Sequence, residues 1–110
     1  MKLKVLLTED AESDLESIFN FITEHDSADK ALHVLDQIEQ SVSNLAELPD
    51  RGSYPKELAA LGIHDYREIF FKPYRIIYRM SGRFVYIFLI ADGRRDMQTL
   101  LQRRLLSSQP

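Results

Sequence analysis

Apolar residues alternate with other side chains at the start of the chain and then change to a helical spacing. Leu3, Val5 and Leu7 lie two residues apart, which is the period of a β-strand. Thr8 is suited to cap a helix, and three carboxylates follow it where the helix dipole favours negative charge. We expect this helix to end near His25, with one apolar face formed by Ala11, Leu15, Ile18, Phe19 and Ile22.

A second helical pattern follows directly. Ser27 is again a capping residue, and Leu48-Pro49 closes the segment because proline disfavours helix at the residue before it. The short gap between the two predicted helices favours an antiparallel helical hairpin. The second helix carries an apolar seam with steps of three and four residues, made of Ala28, Ala31, Leu35, Ile38, Val42 and Leu45.

The remaining pattern predicts a connector, three strands and a last helix. Residues 50–55 are rich in turn formers, and residues 56–62 predict one short helical turn ended by Gly62. Strand patterns cover residues 65–71, 74–80 and 84–91, with breaks of hairpin length between them. Asp96 is placed to cap a final helix over residues 97–106.

These elements predict an α+β fold with the order β-α-α-β-β-β-α. The helical hairpin is expected to cover one face of a mostly antiparallel sheet, whose other face stays partly open. Alternation along the strands sets the facing of each side chain, so Arg67, Arg75 and Arg79 need not share a face. With 110 residues, 45% of them hydrophobic, residues 1–110 are expected to form a single domain.

Charge divides the chain into an acidic and a basic half. Residues 1–50 carry three lysines against twelve carboxylates, a net charge of −9, whereas residues 51–110 carry eleven basic residues against five carboxylates, a net charge of +6. Nine of those eleven basic residues are arginines, whose planar fork pairs with carboxylate or phosphate groups. A basic surface for an acidic partner is one interpretation, and a dipolar but otherwise ordinary surface is the other.

Several classes of function are disfavoured by composition. The chain has no cysteine, so it has neither a disulfide nor a thiolate metal site. Its three histidines lack the spacing of metal ligands, and its four glycines are isolated rather than gathered in a phosphate-binding loop. Nothing resembles a signal peptide or a membrane span. We therefore expect a cytoplasmic protein with no metal, no cofactor and no membrane partner.

Several short motifs, in order and spacing, resemble the RelE/ParE family of small bacterial toxins. They are Leu7-Thr8 before an acidic helix, Leu48-Pro49 with Gly52 after it, Tyr66-Arg67-Glu68, the strand residues 74–78 (Tyr-Arg-Ile-Ile-Tyr), and residues 90–96 (Ile-Ala-Asp-Gly-Arg-Arg-Asp). The resemblance covers nearly the whole chain. It implies the toxin of a type II toxin–antitoxin system, neutralised by a partly disordered antitoxin that folds on the toxin.

The resemblance also implies partners and surfaces. The antitoxin is expected to be ParD-like, to form a hetero-oligomer with the toxin, and to be the only link to operator DNA. An acidic, amphipathic antitoxin segment suits a basic surface with apolar anchors. The residues proposed to contact it are Ile18, Ile22, Leu35, Tyr66, Arg67, Tyr78 and Arg79.

Within the family, the sequence favours a ParE-like binder over a RelE-like nuclease. RelE-type members are ribosome-dependent endoribonucleases of messenger RNA, and Arg75 and Arg95 match arginines that serve the phosphate there, with Glu68 as the candidate base. The nuclease branches carry tyrosine or histidine after Arg95, but residues 96–102 contain neither. This difference favours the ParE branch, whose members inhibit DNA gyrase without catalytic residues. The expected target-binding residues are Arg75, Arg94, Arg95, Arg103 and Arg104.

Structural interpretations stand beside these functional ones. Arg75 is equally well explained by pairing with Glu68 or Asp92 across the sheet. Arg94 and Arg95 fit a solvated loop, and the strand tyrosines fit packing. A non-toxic module that only binds an antitoxin-like partner is a third hypothesis.

Overall fold

The computed structural model describes residues 2–106 and confirms the predicted α+β fold class. A 3-10 turn, Asn44–Ala46, follows the second helix, and a π-helical turn, Gln102–Leu106, continues the last. The regular elements in chain order are β1 (Lys4–Leu7), α1 (Glu9–His25), α2 (Ala28–Ser43), α3 (Lys56–Ala59), β2 (Arg67–Phe71), β3 (Tyr74–Ser81), β4 (Phe84–Asp92) and α4 (Met97–Leu101).

The helical hairpin begins at two side-chain caps. Thr8 Oγ1 accepts a hydrogen bond from the Ala11 backbone N–H at 3.1 Å, and Ser27 Oγ accepts one from the Lys30 N–H at 3.0 Å. Each cap satisfies a backbone donor that has no partner inside its helix. The predicted starts of both helices are therefore confirmed at the residues that carry the signal.

The sheet has the order β1-β4-β3-β2, in which β1 runs parallel to β4 and the other pairs are antiparallel. A bulge interrupts the β3–β4 ladder, because Ile77 pairs with Leu89 whereas Tyr78 pairs with Ile87. Phe88 is the extra residue. The bulge resets the alternation of β4, so Phe88 and Leu89 both pack on the face away from the hairpin.

One hydrophobic core lies between the hairpin and the sheet. Its buried members include Ala11 of α1, Ile38 of α2 and Ile76 of β3. The predicted seam of α2 is wrong at two positions, since Ala28 is exposed and Leu35 is only partly buried. Val34 takes the buried place, giving a seam of Ala31, Val34, Ile38, Val42 and Leu45.

A second core lies on the opposite face of the sheet. Leu58 of α3 and Met97 and Leu101 of α4 pack there against Ile77 and Leu89. These short helices cover one half of that face, and the half nearer to β1 keeps more exposed side chains. Among residues 2–106, no helix is both long enough and apolar enough to cross a membrane.

The connector after α2 is held by a buried tyrosine. The Tyr78 hydroxyl accepts a hydrogen bond from the Gly52 N–H at 3.0 Å and donates one to the Pro49 carbonyl at 2.7 Å. A Cβ at Gly52 would lie 2.6 Å from the Glu68 carbonyl oxygen and from the Tyr78 hydroxyl. This close approach explains the glycine and places the connector against the β2 edge.

Candidate functional site

A groove lies where β4 continues beyond the end of β1. β1 pairs with Phe84 to Ile87 of β4, and the part of β4 beyond Ile87 lies beside α1 instead of beside β1. The groove has a volume of about 590 Å³. A second groove of about 460 Å³ shares three of its residues, Phe21, Ile22 and Tyr74. The apolar lining of the larger groove consists of Ile18, Phe21, Ile22, Tyr74, Leu89, Ile90, Ala91 and Leu100.

Beyond the end of β1, two side chains form hydrogen bonds with backbone groups of β4 that a neighbouring strand would otherwise bond. The Asp14 carboxylate accepts a hydrogen bond from the Ile90 N–H at 2.9 Å, and Arg104 donates to the Phe88 carbonyl at 2.7 Å. Arg104 also donates two hydrogen bonds to Asp14, at 2.9 and 3.1 Å. The pKa of Arg104 is raised mainly by this hydrogen bonding. Arg104 therefore ties the end of the chain to α1.

Arg94 and Arg95 form the basic rim of the larger groove. Both are exposed, and Arg94 donates hydrogen bonds to the Asp92 carboxylate. That hydrogen bonding lowers the pKa of Asp92 to about 2, so this carboxylate is ionised at neutral pH. Apolar walls with charged residues at the rim are the usual lining of a site that takes an amphipathic segment.

Arg75 lies in a buried ion cluster that joins α3 to the sheet. Its Nε donates to Glu68 Oε1 at 2.7 Å, and its Nη1 and Nη2 donate to the two oxygens of Glu57 at 2.8 and 2.7 Å. The three side chains are only 9%, 7% and 15% exposed, for Arg75, Glu68 and Glu57 respectively. We call these three residues the arginine cluster. The ion pair with Glu68 is one of the structural pairings expected for Arg75 from the sequence. Glu57 is an additional partner.

The two carboxylates of the arginine cluster have opposite pKa shifts. Hydrogen bonds from Arg75 lower the pKa of Glu57. Burial raises the pKa of Glu68, although its hydrogen bond from Arg75 opposes that shift. One arginine neutralises only one carboxylate, so the negative charge of Glu68 is the less stabilised of the two.

We expect Glu68→Gln to change the stability of the protein in a pH-dependent way. A group whose folded-state pKa is raised adds stability below its unfolded-state pKa, and this contribution disappears as pH rises through the folded-state pKa. The stability of the wild type relative to Glu68→Gln should therefore fall as pH rises above the ordinary glutamate value of about 4.3. Urea midpoints across that range measure it, with the exposed Glu16→Gln as control. If the Glu68→Gln profile ran parallel to that of the wild type, the raised pKa would be refuted.

The predicted antitoxin-binding residues are divided between the faces of the sheet. Ile18 and Ile22 line the larger groove. On the opposite face, the Arg79 guanidinium lies 5.6 Å from the centre of the Tyr66 ring. Leu35 lines neither groove beside α1.

Two further members of that set have internal partners. Arg67 donates to the Gly52 carbonyl at 2.9 Å and lies over the Tyr54 ring at 4.7 Å, which holds the connector. Tyr78 is 0% exposed. Its ring fills the first core and its hydroxyl is hydrogen-bonded to Gly52 and Pro49, so packing explains Tyr78 and its contact with a partner stays a prediction.

The predicted target-binding arginines are divided as well. Arg75 has 7% of its surface exposed, and its guanidinium is hydrogen-bonded to Glu68 and Glu57, so a structural role explains it and its role in target binding stays a prediction. Arg104 is partly buried against Asp14. Arg94, Arg95 and Arg103 are exposed, and Arg94 forms an ion pair with Asp92.

The nuclease alternative needs Glu68, Arg75 and Arg95 to act on one phosphate. Glu68 and Arg75 are together but buried and paired, whereas Arg95 is exposed at the rim of the groove. Within residues 2–106, no three His, Asp or Glu side chains are close enough to hold a metal ion. The arrangement fits binding through side-chain contacts better than acid–base chemistry.

The sequence interpretation did not name several of the groove residues, among them Asp14, Phe21, Tyr74 and Leu100. Phe21 carried the clearest signal, because it lies off the apolar face of α1 and is nevertheless aromatic. It is 61% exposed. Asp14 gave no signal, since its partner Arg104 is 90 residues away.

Comparison with known proteins places the chain among toxins. The sequence profile of the ParE toxin of the type II toxin–antitoxin system parDE matches residues 5–97. Toxin ParE3 of Caulobacter vibrioides is 28% identical over 101 residues, which cover 92% of this chain and 97% of that toxin. A solved structure of a chromosomal ParDE system from P. aeruginosa shares the fold, with a TM-score of 0.70 at 21% identity over 83% of this chain and 96% of that one. The chain therefore belongs to the ParE toxin family of type II toxin–antitoxin systems.

Proposed function

We propose that this ParE-family toxin acts by binding and inhibiting DNA gyrase in the cytoplasm, and that a ParD-like antitoxin neutralises it. The proposal of binding rather than RNA cleavage is supported by the burial and ion pairing of Arg75. A ribonuclease needs a cation and a base that reach the substrate. In this chain the guanidinium of Arg75 is buried and forms ion pairs with Glu57 and Glu68. The side chain acts as a structural cation.

The larger groove supports an antitoxin as the second partner. Its walls present the apolar side chains of Ile18, Phe21 and Ile22, and its rim carries Arg94 and Arg95. An antitoxin segment with apolar anchors and carboxylates complements both features, and it would gain order only on binding. The resulting hetero-oligomer would contact operator DNA through the antitoxin alone.

Induction of the toxin in cells without antitoxin tests the mode of action. We expect growth arrest with intact messenger RNA, because the target is gyrase rather than the ribosome. Messages cut in the ribosomal A site would show a ribonuclease instead. Normal growth at a verified toxin level would show a non-toxic binding module. The cognate antitoxin, co-expressed, should restore growth.

A further inference from the structure

The uncovered half of the second sheet face carries a continuous apolar surface. Strand alternation directs Leu6 of β1 and Phe84, Tyr86 and Phe88 of β4 to this side, because their neighbours Val5, Leu7, Val85 and Ile87 pack in the first core. We call these four residues the aromatic patch. Phe84 and Leu6 are 36% and 39% exposed. The second core, built with α3 and α4, reaches the edge of the patch at Phe88, whereas Leu6, Phe84 and Tyr86 are not part of that core.

Ring contacts join the patch into one surface. The Phe84 and Tyr86 ring centres are 5.7 Å apart, and those of Tyr86 and Phe88 are 6.4 Å apart. The Tyr66 ring meets Phe88 edge to face at 5.5 Å. These contacts restrain the side chains before any partner arrives, which lowers the entropic cost of binding.

The charges beside the patch are positive. Lys4 pairs in register with Phe84, and Arg79 pairs with Tyr86, so both cations share the face of the patch. Among the strand residues on this half of the face, all within the described part of the chain, there is no Asp or Glu. Aromatic side chains beside arginine are the composition enriched at the energetic centres of protein interfaces.

We propose that the aromatic patch, with Lys4 and Arg79, is the surface that binds the toxin's target protein, through an acidic segment that places apolar side chains on Phe84 and Tyr86. This inference rests on the proposed function in taking gyrase as that target. It moves target binding away from the groove rim, where Arg94 already pairs with Asp92. Target and antitoxin then occupy different faces of the sheet, and Arg79 is reassigned from the antitoxin contacts to the target surface.

The geometry favours a protein over a nucleic acid or a second copy of the chain. Stacking of bases needs open ring faces, whereas these rings are tilted against one another and Arg79 lies over the face of Tyr66. In a symmetric dimer through the patch, each copy would bring Lys4 and Arg79 towards the same cations of the other. An acidic partner instead gains from both charges, chiefly in its rate of association.

Binding of purified toxin to purified gyrase tests the inference with two variants. Phe84→Ser and Arg79→Glu should each weaken binding to gyrase at least about tenfold, while affinity for the antitoxin stays within about twofold of wild type. Phe70→Ser is the matched control, because Phe70 is a 55% exposed aromatic at the opposite corner of the sheet. Circular dichroism melting confirms that each variant is folded.

The outcomes separate this inference from the proposed function. If wild-type toxin binds gyrase and both patch variants bind equally well, the patch assignment is overturned while the proposed function stands. If wild-type toxin does not bind gyrase, both are overturned. The assignment would also be overturned if the patch variants lost only antitoxin binding, lost only binding to a nucleic-acid probe, or lost self-association.

Discussion

Replacing Arg75 with alanine should lower the free energy of unfolding by about 3–5 kcal/mol, because it leaves two buried carboxylates without their cation. Glu57 and Glu68 together receive three hydrogen bonds from this one guanidinium. Without the guanidinium, the two carboxylates repel each other, and α3 loses its ion pair with the sheet. Urea denaturation at neutral pH measures the loss.

Arg79→Ala is the matched control for that experiment. Arg79 lies four residues away on the same strand and face, but its side chain is exposed. Its removal should change the free energy of unfolding by no more than about 0.5 kcal/mol. Equal unfolding midpoints for the two alanine variants would contradict the account of the arginine cluster. A variant with Arg75→Met, Glu57→Gln and Glu68→Leu should recover much of the lost stability, because it removes all three charges together.

Phe21→Ala should weaken binding of the ParD-like antitoxin by about 30-fold or more. Phe21 lines both grooves beside α1 and is 61% exposed in the free toxin. A partner that covers the Phe21 ring buries most of the apolar area of that ring. Removal of the ring should cost the free toxin little stability. Isothermal titration calorimetry of the purified toxin with its antitoxin measures the change.

Leu32→Ala provides the control for the groove. Leu32 is 54% exposed on α2 and lines neither groove beside α1. Its removal should leave antitoxin affinity within about twofold of wild type. Similar losses for the two variants would place the antitoxin across the hairpin rather than in the groove. An unchanged affinity for Phe21→Ala would remove the groove assignment altogether.

The elements that sequence predicted well are those with local signals. Thr8 and Ser27 cap helices through bonds to residues only three positions later. Gly62 lies in the turn that follows α3, with a φ of +77°, which glycine adopts without strain. Each of these depends on neighbouring residues, so the pattern of a short segment contains the information.

The seam of α2 shows where periodicity loses precision. Steps of three and four residues fit both Val34 and Leu35, which are adjacent and differ by about 100° around the helix. Packing of α2 against the sheet selects Val34. That choice depends on how α2 lies against the sheet, which the spacing alone does not contain.

The candidate site depended on contacts between distant parts of the chain. Glu57 meets Arg75 from 18 residues away, and the bulge at Phe88 follows from strand pairing rather than from local pattern. Sequence left Arg75 open between a target contact and a pairing across the sheet, and its burial beside Glu57 and Glu68 favours the pairing. Ile18 and Ile22 both line the larger groove, and their helical spacing already predicted that they share one face of α1.

Gyrase-driven supercoiling of a relaxed plasmid in the presence of excess purified toxin tests the central claim most directly. We expect the plasmid to remain relaxed, and supercoiling to return when the antitoxin is added to the toxin beforehand. This assay measures the activity of gyrase and does not depend on the stability of the arginine cluster. It therefore reports on binding of the toxin to gyrase. Normal supercoiling at toxin excess over gyrase, with toxin shown to be folded, would contradict the claim.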